Sequence, residues 1–246
     1  MENAVKSKLL RSAPIRRRRL YEGIVERIEH LIVSGELAVG ERLPSERELT
    51  LTFNVGRTAV REALFALNRM GLVSLGNGER AIVSLPTPKV LVTELSGAAR
   101  NLLASAEGMH QFQSARALFE VALARHAARH ATSADLDRLE QALADNRRAL
   151  GDPGEFVDSD VAFHYLLAEI PGNPIYTALH AGIVAWLKDQ RTTSVGEPGS
   201  PEAACKAHLR IYRAIKARDA DAAERAMQGH LDEVSRFYWA SRERRP

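Results

Sequence analysis

Between Leu43 and Gly71 the chain sets two helices end to end with three residues to join them. Ser45 starts the first, just after Pro44, and Glu48 three residues on completes a capping box in which side chains satisfy the exposed N–H groups. That helix ends near Phe53. Asn54-Val55-Gly56 makes the turn, since Asn and Gly tolerate positive φ. The second helix runs from Arg57 to about Met70, with Val60, Ala63, Leu64 and Leu67 as its apolar face, and Gly71 ends it.

The flanks complete a pattern. Upstream, Leu20, Ile24, Ile28, Leu31 and Ile32 recur at helical spacing as far as Ser34, and Gly35 stops the run. Downstream, Leu72–Leu75 and Arg80–Ser84 are short β-like runs around Gly76-Asn77-Gly78-Glu79, a hairpin signal. Helix, short helix, turn, helix, hairpin is the order of a winged helix-turn-helix, which lays the start of its third helix in the DNA major groove. The predicted contacts are Arg57, Thr58 and Arg61 on that helix, Arg47 on the helix before it, and Arg80 with the backbone of Gly78 in the wing. Arginine bonds guanine through two N–H groups or holds a phosphate. The alternative at this level is an ordinary three-helix domain with solvated arginines.

Charge favours the first reading. Residues 1–85 carry 14 Lys+Arg against 10 Asp+Glu, although the whole chain of 246 residues is only +3. Five arginines fall between Arg11 and Arg19, so residues 1–19 read as a flexible basic arm for phosphates or a minor groove. The single cysteine, Cys205, excludes an intramolecular disulfide and fits a reducing cytoplasm, where DNA lies in the nucleoid. The longest uncharged run, Ile170–Leu187, is broken by prolines and glycines and is no membrane span. The N-terminus has no apolar run of the secretory kind.

Leu85-Pro86-Thr87-Pro88-Lys89 reads as the start of a linker over 86–95, because two prolines interrupt helix and strand. Beyond it the pattern is helical almost throughout, with a polar Gly/Pro stretch at Thr192–Pro201. The expected fold is mainly α: a winged helix-turn-helix domain at 20–85 and an all-α bundle at 96–241, long enough to bury its own core. Asp160 and His164 lie four apart on one helix and so share a face. His208 and His230 lie on the last two helices among small or apolar residues. Spacing alone leaves these as a surface hydrogen bond and two core histidines.

The segment LPSERELTLTFNVGRTAVREALFALNRMGLVSLGNGERAIVS resembles the DNA-binding domain of GntR-family bacterial transcription regulators. The helical remainder resembles the FadR-type effector domain, the FCD domain, so that the likeness runs from about Leu20 to Ala240. Within the family the chain is most similar to the branch of sialic-acid-responsive repressors, through GNGERAIVSLP, the ELSG at Glu94–Gly97 and AEIPGNPI at Ala168–Ile175. That branch reads Asn-Asn-Gly in the wing where this chain has Gly76-Asn77-Gly78, and Ala59 stands where some relatives carry a hydroxyl. The resemblance implies the same DNA contacts at Arg47, Arg57, Thr58, Arg61 and Gly78.

It also implies a metal site. Metal-binding FCD domains use one Asp and three His in this order, which fall here on Asp160, His164, His208 and His230. One carboxylate and three imidazoles suit Zn²⁺, and also Ni²⁺ or Mn²⁺. Arg116, one turn before Glu120, matches a position facing the ligand cavity, where it could pair with an acidic effector; a surface ion pair is the other reading. The implied function is a homodimeric repressor on double-stranded operator DNA, released by a small carboxylate such as sialic acid or another sugar acid. A metal-dependent hydrolase with an Asp/His₃ site is the competing reading, although no H-E-x-x-H base accompanies the ligands.

Overall fold

The computed structural model describes residues 19–76 and 79–244. Contacts divide the chain after Val90 into two units. The arm residues 1–18 and the wing-tip residues Asn77 and Gly78 lie outside the described residues.

The first unit contains α1 (Leu20–Val33), α2 (Glu46–Phe53), α3 (Arg57–Arg69), β1 (Val73–Ser74) and β2 (Ile82–Val83). The predicted capping box at Ser45 is formed: Ser45 Oγ accepts from the Glu48 amide, and Glu48 Oε2 accepts from the Ser45 amide. Asn54 takes the left-handed conformation at φ 50°, whereas Gly56 does not and serves as the N-cap of α3. One core joins Ile24, Ile28 and Ile32 of α1 to Leu49, Val60, Leu64 and Leu67, closed by Leu43, Val73 and Val83.

The strands pair antiparallel, Val73 opposite Val83. A segment that the sequence left as turn adds an edge to them: the Leu43 amide donates to Ala81 O and the Val83 amide to Glu41 O. Gly71 is required at the exit of α3. Its φ is +75°, and a Cβ there would meet Val90 Cγ2 at 2.9 Å.

The second unit is helical: α4 (Pro88–Leu103), α5 (Ala106–His130), α6 (Ser133–Arg148), α7 (Pro153–Glu169), α8 (Pro174–Trp186), α9 (Lys188–Val195), α10 (Ser200–Lys216) and α11 (Ala220–Arg244), with a 3₁₀ turn at Ala149–Gly151. Two expectations are corrected here. The segment 86–95 is helical from Pro88 onward, because proline at a first helical position lacks only an N–H that had no partner anyway. The stretch Thr192–Pro201 is not one loop either. α9 runs to Val195 and α10 begins at Ser200, which leaves Gly196–Gly199 between them.

α4 packs on α8 where Gly182 admits Val92, and Trp186 Nε1 donates to Ser96 Oγ at 3.0 Å. The main core draws Leu123 and Ala127 from α5, Leu139 from α6, Phe163 and Leu167 from α7, Ile211 and Ile215 from α10, and Met227 and Leu231 from α11. The histidines of interest stand directly beside these side chains. No helix among the described residues is long and apolar enough to cross a membrane.

Candidate metal centre and basic face

Asp160 and His164 sit one turn apart on α7, His208 on α10 and His230 on α11, and all four are buried. Three helices distant in sequence bring their possible ligand atoms within 4.8 Å of one another. The three Nε2 atoms form a nearly equilateral triangle, with sides of 3.3 Å (His164 to His230), 3.2 Å (His164 to His208) and 3.2 Å (His208 to His230). Asp160 Oδ1 stands 3.5 Å from His208 Nε2.

The surroundings fix where the protons are. His208 Nδ1 donates to Asn146 Oδ1 at 2.6 Å, and Asn146 is oriented by its own Nδ2, which donates to Ser159 Oγ at 2.8 Å. His164 Nδ1 is paired with Glu120 Oε2, and Glu120 Oε1 accepts from Arg116 Nε at 2.6 Å. An acceptor at Nδ1 keeps the ring proton there, so Nε2 presents a lone pair. The Nε2 lone pairs of His164 and His208 so oriented repel one another, and His230 Nε2 faces the same point. A cation at that point relieves the repulsion. Four-coordinate zinc with Zn–N of about 2.0–2.1 Å places neighbouring ligand atoms about 3.3–3.4 Å apart, close to the spacing found. The residues therefore fit a bound metal ion.

Electrostatics agree with that reading. Burial pushes His208 down to about 3, against the partial support of Asp160, and burial together with His208 and His164 holds His230 well below its ordinary range. Neutral rings are the form that coordinates. Burial opposes the charge on Asp160, but its surroundings, the Arg191 guanidinium among them, outweigh it and hold the carboxyl below its ordinary range. His208 and His230 are thus held neutral beside one anion.

Arg116 is no surface ion pair. It and Glu120 are 4% and 2% exposed, and through Glu120 it supports His164. A second arginine escaped the sequence reading. Arg191 on α9 is buried and donates through Nε to Asp160 Oδ2 at 3.3 Å, while its Nη2 has no partner. Close by in charge space, His180 on α8 is buried with both ring nitrogens unpartnered, and burial pushes it down to about 4. Gln190 Oε1 is buried and unpartnered as well. Orphaned buried polar groups are uncommon, and two of these, Arg191 Nη2 and the His180 ring, belong to residues that interact with the candidate cation site. Cys205 is half-buried in a cluster with Phe156 and Val157, and burial pushes its thiol up to about 11, which disfavours the thiolate that would ligate or attack.

In the first unit Arg47, Arg57, Thr58 and Arg61 are exposed, and Arg80 is exposed on the wing. The start of α3 has no side-chain cap, so no side chain competes with an anion for the partial positive charge there. Arg47, Arg57, Arg61 and Arg80 line one cleft of about 750 Å³, together with Phe65 and Leu75. Gly78 belongs to the wing tip outside the described residues.

Two family models match. Residues 20–83 match "Bacterial regulatory proteins, gntR family", and residues 111–233 match the FCD domain, which is half of the chain. The chain belongs to the GntR family of bacterial regulators. Its relatives include the HTH-type transcriptional repressor NanR of Citrobacter rodentium, 46% identical over 96% of this chain and 92% of that protein. NanR of Escherichia coli K12 is 45% identical over 94% of this chain and 89% of that protein. Among solved structures, Streptococcus agalactiae GntR superposes with a TM-score of 0.58 at 28% identity, covering 88% of this chain and 99% of that one. E. coli McbR/YncC superposes at 0.52 and shares the fold at 16% identity over 91% of this chain. GntR/FCD proteins are regulators and not enzymes.

Proposed function

We propose that this GntR/FCD regulator is a transcriptional repressor whose grip on operator DNA is set by a small acid bound at the metal centre of its second unit. The observation that supports this reading is the juxtaposition of three converging imidazole Nε2 atoms with the unpartnered groups of Arg191 and His180. Asp160, His164, His208 and His230 would hold the ion, and Zn²⁺ suits one carboxylate and three imidazoles, with Ni²⁺ or Mn²⁺ as alternatives. Bound there, it would supply a Lewis-acid contact for a carboxylate.

Charge selects the effector's class. Arg116 and Arg191 are balanced by Glu120 and Asp160, so a divalent ion leaves the buried cluster with two uncompensated positive charges. An acid offsets part of that excess. Arg191 Nη2 would take a carboxylate oxygen, Arg116 would stand nearby, and His180 would bond a hydroxyl or amide group. Sugar acids carry both features, and sialic acid is the first candidate given the chain's relatives.

On DNA, Arg57, Thr58 and Arg61 would read base edges, and Arg47, Arg80 and the Gly78 backbone would hold flanking phosphates. A homodimer would set two such helices on two-fold-related half-sites. The effector must bind the DNA-competent and the released arrangement with different affinity, since equal affinity shifts nothing. The hydrolase alternative is disfavoured because Asp160 and Glu120 are both engaged, so neither is free to act as a base for water.

The test is thermal unfolding of metal-loaded and EDTA-stripped protein with N-acetylneuraminate and a panel of sugar acids. A ligand at about 100 times its dissociation constant adds roughly 2.7 kcal/mol. Stabilisation by an acid only in the loaded sample supports the reading. Equal stabilisation in the stripped sample refutes the role of the metal.

A further inference from the structure

We infer that Glu46 is a specificity-determining residue that positions the two reading arginines and penalises binding to the wrong DNA. Glu46 opens α2, and its carboxylate reaches across to α3. Oε2 accepts from Arg57 Nε at 2.9 Å, and Oε1 lies 3.5 Å from Arg61 Nε. Arg57 and Arg61 are one turn apart on α3, so a single carboxylate spans both. Glu46 is 33% exposed, whereas the two arginines are 76% and 57% exposed. They are held at the base and free at the tip.

The atom held decides what the tip can do. The carboxylate faces Nε of both guanidinia, hydrogen-bonded to Arg57 and ion-paired to Arg61, so that neither Nη1 nor Nη2 is spent on it. The edge carrying Nη1 and Nη2 offers two parallel donors, the pattern that guanine O6 and N7 accept. An arginine without such a brace turns freely toward whichever phosphate is nearest, which gives affinity without sequence information. The carboxylate also places a negative charge in a cleft that meets a polyanion. It therefore costs affinity for every duplex, and bonds to the correct bases offset that cost only at the correct site. Discrimination of this kind is built from a repulsive element as well as an attractive one.

The inference rests on the DNA-reading role of α3. Wild-type protein would first be used to enrich a duplex from a randomised pool. Affinity for that duplex and for a scrambled one would then be measured across a salt series, for wild type, Glu46→Gln, Glu46→Ala and Glu46→Asp. Positioning predicts that the selected-to-scrambled affinity ratio falls at least tenfold in the Gln and Ala variants. It also predicts that the scrambled duplex binds as tightly as before or tighter, with a salt slope steeper by about one, as a freed arginine reaches a phosphate. Asp keeps the charge at the helix N-terminus but is one methylene too short to span both arginines, so it should not restore the ratio. An unchanged ratio overturns the inference. Full rescue by Asp also does so, because it assigns Glu46 to helix stability. So does a loss confined to one C·G pair, which would make Glu46 a base reader. If wild type enriches no motif, the DNA-reading role falls and the inference falls with it.

Discussion

Stripping the metal should make the second unit acid-labile, and the histidines set the window. In the unfolded chain His180 and His208 titrate near the ordinary value of 6.5; in the fold they are pushed down to about 4 and about 3. Below pH 6.5 the unfolded state therefore takes up protons that the folded state refuses. The unfolded state binds more protons, so stability rises with pH and is lost as pH falls. Each group contributes about 1.4 kcal/mol per pH unit, so the two together remove roughly 7 kcal/mol between pH 6.5 and 4. That is of the order of a domain's whole stability, about 5–15 kcal/mol. Urea unfolding of EDTA-stripped protein, followed by circular dichroism from pH 7.5 to 4.5, would show a midpoint falling steeply below pH 6.5. His180→Phe, which leaves all four metal ligands in place, should flatten the slope by about one proton. A flat midpoint in the stripped protein, or an unchanged slope in His180→Phe, would refute the reasoning.

Other outcomes follow from the same structure. Arg57→Ala and Arg61→Ala should each abolish binding to the selected duplex in a mobility-shift assay while leaving metal content, measured by mass spectrometry, intact. Glu120→Gln weakens the acceptor beside His164 Nδ1, and metal affinity measured against a chelator should fall about 10- to 100-fold. Glycine substitutions should split in sign. Gly182→Ala drives a Cβ to 2.7 Å from Val92 Cγ1 and should cost about 1–3 kcal/mol by calorimetry. Gly97→Ala and Gly229→Ala meet nothing within 4 Å in their helices and should each gain up to about 1 kcal/mol.

What could be read from the sequence was local. Ser45 with Glu48, Asn54 in the turn, and the apolar positions of α1 and α3 each act over one or two turns, so the first unit was legible almost element by element. Pro88 misled because proline has two meanings, interrupting a helix inside and opening it at its first residue. α9 was missed because its buried positions include Gln190, Arg191 and Ser194, which carry no apolar periodicity. Burial there is imposed by neighbouring helices and leaves no local trace, which is why Arg191 escaped notice. The pairing of Asp160 with His164 was visible in their spacing; their meeting with His208 and His230 was supplied by resemblance and not by pattern. The Asn146 and Glu120 acceptors come from α6 and α5, and nothing in spacing links them to histidines on other helices.

The cation ligands lie on α7, α10 and α11, while the unpartnered groups beside them lie on α8 and α9. Floor and wall are thus written in separate stretches of the gene. On the proposed reading, substitutions between residues 174 and 195 would change which acid is accepted without touching a candidate ligand atom. Such a layout would let a lineage exchange one inducer for another while keeping the anchoring chemistry, so that descendants sharing the four residues need not share a diet.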